Sequence, residues 1–157
     1  MLLNWASTSN MKIYVASDHA GFELKGKLIV YLQGLGYEVL DKGAFKYNES
    51  DDYPDFIKPV ASAVASDPER SRGIILGKSG EGEAICANRV KGVRATVFYG
   101  SPLDIIRLSR EHNDANILSL AAGFVEEGMA RLAVKSWLET PFSGDERHIR
   151  RIKKLDE

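Results

Sequence analysis

An apolar run leads through a glycine-rich loop into a second apolar segment in Gly73-Ile74-Ile75-Leu76-Gly77-Lys78-Ser79-Gly80-Glu81-Gly82-Glu83-Ala84-Ile85-Cys86-Ala87-Asn88. The run from Gly73 to Gly77 is typical of a buried strand, and the Ala/Ile-rich segment after Glu83 is typical of a helix. The glycines allow the backbone to approach a ligand closely. Free N–H groups at the start of a helix favour oxyanions, and Glu83, in the first turn, is placed to move a proton on the bound molecule. This stretch therefore predicts a strand, a loop and a helix that together form a binding site.

Two other interpretations of the loop remain open. Gly73, Gly77 and Lys78-Ser79 approach the G-x-x-x-x-G-K-S/T phosphate loop of nucleotide hydrolases. Only three residues separate the two glycines, however, and all three are strand-forming, which disfavours a nucleotide site. A plain turn between a strand and a helix is the second alternative, because glycine-rich turns are common.

The composition indicates one globular domain. The chain has 157 residues, of which 44% are hydrophobic and 27% charged, so it can bury a core. With a net charge of -1, nucleic acid and anionic membranes are poor default partners. No apolar run is long enough to span a membrane, and residues 1–10 lack the basic end and apolar block of a secretory signal. A single Cys excludes an internal disulfide, so we expect a cytoplasmic location.

Short apolar strands alternate with longer amphipathic segments. Strands are predicted at Lys12 to Ser17, Tyr37 to Asp41, Gly73 to Gly77, Val93 to Tyr99 and Ile117 to Leu120. Helices are predicted near Phe22 to Leu35, Tyr53 to Ala65, Glu83 to Val90, Pro102 to Glu111 and Glu126 to Glu139. This alternation predicts an α/β fold, namely a Rossmann-like or flavodoxin-like three-layer αβα sandwich around a five-stranded parallel sheet.

The two ends of the chain are interpreted separately. Residues 1–10 are assigned to an N-terminal extension without a function, and residues 11–157 to a single domain. A basic segment, Gly144 to Leu155, is predicted to form a last helix that leaves the domain and lies on a neighbouring subunit.

Polar residues follow the predicted strands, which is where ligands bind in doubly wound sheets. Asp18 and His19 follow the first strand, although an Asp in this position is more often a helix N-cap. His112 and Asn113 follow the fourth helix, where a single His is more often a C-terminal cap.

Two arginines lie one helical turn apart in the last predicted helix. Arg147 and Arg151 share a face, on which two guanidinium groups can clamp a phosphate. A solvated basic face near a helix C-terminus is the alternative. No two histidines have the spacing of metal ligands, so we expect no zinc site.

Five motifs in order give the chain a resemblance to a known family. They are Ser17-Asp18-His19-Ala20-Gly21, Asp52-Tyr53-Pro54-Asp55, the loop from Gly77 to Glu83 with Ala87-Asn88, Arg110-Glu111-His112-Asn113-Asp114-Ala115-Asn116, and Arg147-His148-Ile149-Arg150-Arg151. Together they resemble the type B ribose-5-phosphate isomerases, within the wider family that includes galactose-6-phosphate isomerase subunits. The resemblance covers Met11 to Ile152.

The resemblance implies an aldose-ketose isomerase for a sugar phosphate, acting through an enediolate without a metal or an organic cofactor. It also implies a homodimer with the active site between subunits, with a tetramer as an alternative. One branch of the family uses a cysteine base at the position of Gly77, and another uses a glutamate at the position of Glu83. This chain is similar to the glutamate branch, so Glu83 is the expected base.

The other roles are also carried over from the resemblance. Ser79 would bind the substrate or the enediolate, and the amides from Gly80 through Gly82 to Glu83 would form an anion hole. His112 would open the sugar ring, with Asn113 as a polar partner. The remaining residues would contact substrate: Asp18 at the hydroxyl groups, Tyr53 in the sugar pocket, and His19, Arg147 and Arg151 at the phosphate.

One departure from the family pattern concerns the phosphate. The family shows Gly-Gly-Arg or Gly-Ala-Arg after the fifth strand, and that Arg helps to hold the phosphate, whereas Ala121-Ala122-Gly123 stands here. Lys78, where relatives commonly have Gly, or Arg107 is a candidate replacement. Ribose 5-phosphate is the expected substrate; a hexose 6-phosphate of the allose or galactose type, or a degenerate sugar-phosphate binder without catalysis, are the alternatives.

Overall fold

A computed structural model describes residues 10–157, in which strands and helices alternate along the chain. The strands are β1 (Lys12–Ser17), β2 (Glu38–Asp41), β3 (Ser71–Gly77), β4 (Ala95–Phe98) and β5 (Ile117–Ala121). The helices are α1 (Phe22–Gly34), α2 (Pro54–Ser66), α3 (Glu81–Ala87), α4 (Leu103–Glu111), α5 (Glu127–Glu139) and α6 (Glu146–Lys153), with 3-10 turns at His19–Gly21 and Lys154–Asp156. Every predicted element is present, and most bounds agree within two residues.

All strand pairs are parallel, and the strands lie in the order β2-β1-β3-β5-β4. The predicted three-layer architecture is confirmed. Within it, β4 and β5 are exchanged relative to the flavodoxin order, so that β5 lies beside β3. Gly77 pairs with Ala121 and Leu76 pairs with Ser17. The ends of β1, β3 and β5 therefore lie side by side at one edge of the sheet.

Both faces of the sheet are covered, as expected for a parallel sheet whose strands are continuous apolar runs. Ile74 and Ile75 are fully buried, but successive strand residues point to opposite faces and so enter different cores. The first core packs against α1, α4 and α5, and the second packs against α2 and α3. Each fully buried Ile or Leu contributes roughly 1.5–3 kcal/mol, so the two cores fix the positions of the strand ends.

The predicted start of α3 was two residues late. Gly80 has a φ of +76°, in the left-handed region that favours glycine, and the helix begins directly after it at Glu81. The Ser79 hydroxyl accepts a hydrogen bond from the Glu81 N–H at 3.3 Å. Glu83 is therefore the third residue of the helix and remains in its first turn.

Of the two chain ends, the structure describes only the C-terminal one. Residues 1–9 lie outside the described residues, so the division into an extension and a domain from residue 11 stays a prediction. The predicted C-terminal helix exists as α6, and His148 is the one buried residue in it. The remaining residues of α6 face outward or are half-buried, so most of this basic helix lies outside the two cores.

Candidate active site

Seven of the predicted site residues lie at the edge of the sheet where the strands end. This carboxyl-edge group consists of Asp18, His19, Tyr53, Ser79, Gly80, Gly82 and Glu83. Asp18 and His19 follow β1, Tyr53 precedes α2, and the other four belong to the loop between β3 and α3 and to the first turn of α3. The residues after β1 and after β3 lie side by side because these two strands are adjacent.

Glu83 is the buried carboxylate of this group, with only 4% of its surface exposed. Its side chain lies over Gly77, where a Cβ atom would overlap both carboxylate oxygens. Gly77 is outside the left-handed region of backbone conformation, so glycine is needed here for space alone. The missing side chain at the end of β3 is what admits the carboxylate.

Two opposing effects act on the ionisation of Glu83. Burial raises the pKa of its carboxyl group above the ordinary value, and the nearby Asp18 adds to the rise, whereas the backbone N–H of Glu83 lowers the pKa. Burial is the larger effect. A carboxylate with a raised pKa is a stronger base than an exposed one, which suits proton abstraction.

Asp51 holds His19 in a fixed orientation. Its Oδ1 accepts a hydrogen bond from the His19 backbone N–H at 3.1 Å and lies 2.7 Å from the ring Nδ1. This contact raises the pKa of His19 and favours the protonated ring. Nε2 is then the ring nitrogen left to donate to an anion.

Asp18 caps the 3-10 turn at His19–Gly21 and lies within the carboxyl-edge group. Its Oδ1 accepts hydrogen bonds from the N–H groups of Ala20 and Gly21, at 2.9 and 3.4 Å, as the N-cap interpretation expects. Burial raises the pKa of the Asp18 carboxyl group. Asp18, His19 and Asp51 also offer three possible metal-ligand atoms within 4.8 Å of one another. The direct contact between His19 and Asp51 already uses two of those groups as a charge-assisted pair.

The glycine loop is held from two sides. The buried Ser119 hydroxyl on β5 donates a hydrogen bond to the Gly80 carbonyl at 2.6 Å. A Cβ on Gly82 would lie 2.8 Å from Cζ of Tyr53, so the aromatic ring lies directly against the loop backbone. These contacts fix the backbone N–H groups that follow Ser79. N–H groups in the first turn of a helix have no hydrogen-bond partner within the helix.

The other four predicted site residues lie at the opposite edge of the sheet. This amino-edge group consists of His112, Asn113, Arg147 and Arg151. His112 ends α4, and its backbone N–H donates to the Leu108 carbonyl at 2.9 Å. Asn113 is exposed in the turn that leads into β5.

A buried arginine shapes that turn. Arg110 donates to the Asp114 carboxylate at 2.8 Å and to the Ala115 carbonyl at 2.6 Å. Asp114 has a φ of +47°, an uncommon conformation for a residue other than glycine. The bonds from Arg110 therefore support a tight turn that presents His112 and Asn113 at the surface.

The last helix docks on the same turn. The His148 ring stacks on the His112 ring with 4.4 Å between centroids and 19° between planes. Burial lowers the pKa of His148, and His112 adds to this effect. Arg147 and Arg151 are both exposed, one turn apart on α6, as the clamp interpretation requires.

The two groups lie far apart within this chain. A strand of five to seven residues separates the two edges by roughly 15–20 Å, which exceeds the reach of a histidine or arginine side chain. The predicted site residues thus fall into two groups, the carboxyl-edge group and the amino-edge group, at opposite edges of the sheet.

Several residues of the site were missed by sequence reasoning. Asp51 lies next to the Asp52-Tyr53-Pro54-Asp55 motif, and its side chain is only 7% exposed, but the sequence does not show that it faces His19. Ser119 is a polar residue within the apolar β5, which is a signal that could have marked it. Gly77 was placed at the end of the strand and at the position of a cysteine in one branch, but its role in making room for Glu83 was not foreseen.

Comparisons with known proteins identify the family of this chain. The family model described as ribose/galactose isomerase matches residues 13–155. Ribose-5-phosphate isomerase B of Mycolicibacterium paratuberculosis is 41% identical over 147 residues, covering 94% of this chain and 91% of that protein. None of the helices within residues 10–157 is both long enough and apolar enough to cross a membrane.

Two crystal structures are similar over nearly the whole chain. Ribose-5-phosphate isomerase B of Thermotoga maritima is 46% identical, with a TM-score of 0.86 and coverage of 93% of this chain and 97% of that one. Ribose-5-phosphate isomerase B of Mycoplasma genitalium with bound ribulose 5-phosphate is 35% identical, with a TM-score of 0.88 and coverage of 92% and 93%. This chain belongs to the ribose/galactose isomerase family.

Proposed function

We propose that this protein interconverts ribose 5-phosphate and ribulose 5-phosphate through an enediolate, with Glu83 as the base. The observation that carries the proposal is the buried Glu83 carboxylate, which lies over Gly77 at the end of β3 and has a raised pKa. The relative from Mycoplasma genitalium, which has the same fold, binds ribulose 5-phosphate and supports the choice of sugar.

The proton transfer uses the carboxyl-edge group. Glu83 removes the proton from C2 of the open-chain aldose and returns it to C1, while the hydroxyl proton passes from O2 to O1, which gives the ketose. Ser79 and the loop amides from Gly80 to Gly82 donate hydrogen bonds to the enediolate oxygens while negative charge develops on them. The reaction moves only protons, so the residues present supply all the chemistry that it needs.

Ring opening and phosphate binding use both groups of residues. His112 exchanges a proton with the ring oxygen and the anomeric hydroxyl, with Asn113 as a hydrogen-bonding partner, and Asp18 orients the sugar hydroxyls. The protonated His19 faces the phosphate together with Arg147 and Arg151. Tyr53 lines the sugar pocket beside Gly82.

A homodimer brings the two groups together. In a two-fold dimer, the carboxyl-edge group of one chain meets the amino-edge group of the other, and two identical sites result. The separation of the groups within one subunit supports this arrangement. The position of α6 outside the two cores also supports it, since this helix carries the arginine pair. A cytoplasmic location and a tetramer built from dimers are compatible with it.

An assay with purified protein tests the reaction. Catalytic efficiency is compared between ribose 5-phosphate, allose 6-phosphate and galactose 6-phosphate, and ribose 5-phosphate is expected to be the best substrate. Glu83→Gln preserves the shape of the side chain but removes the base, so turnover should fall roughly 100-fold with a modest change in KM. Full activity of this variant, or no activity of the wild type on ribose 5-phosphate, would refute the proposal.

A mixing experiment tests the shared site. Glu83→Gln and His112→Ala are each expected to be inactive, but dissociation and reassociation of a mixture forms dimers with one site that lacks both changes. Random pairing should restore about a quarter of the wild-type activity, since half of the dimers are mixed and each has one intact site. A mixture that stays as inactive as its components would contradict a site made from two chains.

A further inference from the structure

Lys78 is an exposed cation at the centre of the carboxyl edge. It follows the last residue of β3 and precedes Ser79 of the glycine loop. Within residues 10–157, no carboxylate oxygen lies within 4.0 Å of the Lys78 ammonium group, whereas the buried Lys25 and Arg110 are paired with Asp41 and Asp114. The free ammonium group is therefore available to a ligand.

Gly123 makes room for the side chain of Lys78. The Gly123 N–H donates to the Lys78 carbonyl at 2.9 Å, which ties the segment after β5 to the segment after β3. A Cβ on Gly123 would lie 2.9 Å from Cγ of Lys78 and 3.1 Å from its carbonyl oxygen. Gly123 is not in the left-handed region, so the absent side chain serves space and not backbone conformation. The aliphatic part of the Lys78 side chain thus fills the space into which a side chain at position 123 would extend.

This contact connects the two departures seen in the sequence. The family resemblance places Gly at position 78 and a phosphate-binding Arg at position 123, whereas this chain has Lys78 and Gly123. An arginine at 123 and a lysine at 78 would compete for the same space. One positive charge is therefore kept at this edge, but it comes from β3 instead of β5.

We propose that Lys78 is the phosphate-binding cation that replaces the missing arginine, and that Gly123 is the position that admits it; this rests on the proposed function. β1 and β3 are adjacent, roughly 4.8 Å apart, so an extended lysine side chain at the end of β3 is long enough to span to the region in front of His19. An ammonium group on a flexible stem binds phosphate as a point charge. Lys78 and His19 approach the phosphate from one chain, and the arginine pair approaches it from the other.

Arg107, the other candidate from the sequence, fits this role less well. Its guanidinium group forms an ion pair with Asp104 on the same helix, and its side chain is 53% exposed. Its charge is therefore directed at Asp104 on the outer surface of α4. Arg107→Ala serves as the matched control, because it also removes one exposed positive charge.

The test measures phosphate binding and catalysis in parallel. Lys78→Ala is titrated with inorganic phosphate by calorimetry and assayed with ribose 5-phosphate. Phosphate affinity should fall about 10-fold and KM should rise by a similar factor, with kcat within about threefold of the wild type. The exchanged variant Lys78→Gly with Gly123→Arg should recover most of the affinity, whereas Gly123→Arg alone should not improve it. Arg107→Ala should bind phosphate like the wild type.

The outcomes separate this inference from the proposed function. Unchanged phosphate affinity in Lys78→Ala would overturn the inference even if the wild type is a fully active isomerase, and so would a loss confined to Arg107→Ala. A wild type that binds phosphate through Lys78 but does not isomerise ribose 5-phosphate would refute the proposed function and leave the cation assignment standing. A wild type that binds no phosphate would overturn the inference.

Discussion

The contact between Gly77 and Glu83 allows a sharp test with one methyl group. Gly77 has an ordinary strand conformation, so the backbone tolerates alanine. The new Cβ, however, would lie well under 3.0 Å from both carboxylate oxygens and from Cδ of Glu83, a distance that real Cβ atoms do not show. Gly77→Ala must therefore displace the carboxylate while it adds no polar group and removes none.

The size of the effect follows from the displacement. Ordinary van der Waals contact begins at 3.4 Å, so the nearest carboxylate oxygen has to move by about 1.5 Å to accommodate the methyl group. A misplacement of about 1 Å already costs roughly 100-fold in rate, or about 2.7 kcal/mol of transition-state stabilisation. We expect kcat for ribose 5-phosphate to fall by this factor and KM to change little, because the phosphate contacts are not touched.

Steady-state kinetics and thermal unfolding check this expectation together. Gly26→Ala is the matched control, because a Cβ on Gly26 within α1 meets no atom within 4 Å, and it should keep full activity. In a Glu83→Ala background, Gly77→Ala should have almost no further effect, since the displaced group is gone. A folded Gly77→Ala variant with kcat within about threefold of the wild type would refute the mechanism. A double variant whose kcat is a further 100-fold below that of Glu83→Ala would refute it too.

Three further predictions concern charge and loop support. Because the pKa of Glu83 is raised in the folded protein, its ionisation weakens the native state as pH rises through that pKa. Glu83→Gln should then be more stable than the wild type near pH 7, by about 1 kcal/mol in chemical denaturation, and equally stable at low pH; a constant difference at all pH values would contradict this. Asp51→Asn should lower the pKa of His19, which nuclear magnetic resonance can measure. The same variant should raise KM more at neutral pH than at acidic pH, because the ring is protonated again at acidic pH. An equal rise in KM at both pH values would argue against a charge effect. Ser119→Ala leaves the Gly80 carbonyl without its buried donor, so the free energy of unfolding should fall by about 1 kcal/mol and kcat several-fold, and an unchanged melting temperature would be inconsistent with this role.

The fold was largely predictable because its signals are local. Continuous apolar runs identify buried parallel strands, and the strand bounds of β1 agree with the prediction at both ends. The start of α3 was misplaced because the left-handed conformation of Gly80 ends the loop earlier than the apolar pattern suggests. The order of β4 and β5 could not be predicted, since it depends on how the crossovers pack and not on the pattern within either strand.

The residues of the candidate site can be named from the sequence and stay a prediction, but their arrangement cannot be derived from it. The motifs point to Glu83 and His112, but no local pattern shows that the two residues lie at opposite edges of the sheet. Contacts between distant segments were also hidden: Asp51 reaches His19 across 32 residues, and Ser119 reaches Gly80 across 39. Such pairs depend on which strands and loops are neighbours, so they become visible only in three dimensions.

The shared space at the end of β3 also constrains how the two branches of this family diverged. Any side chain at residue 77 would meet the Glu83 carboxylate where it now lies. A substitution that places a thiol at this position therefore also requires the carboxylate to shift or to be lost. The identities of residues 77 and 83 are thus coupled, and a change at one position alters what the other can hold.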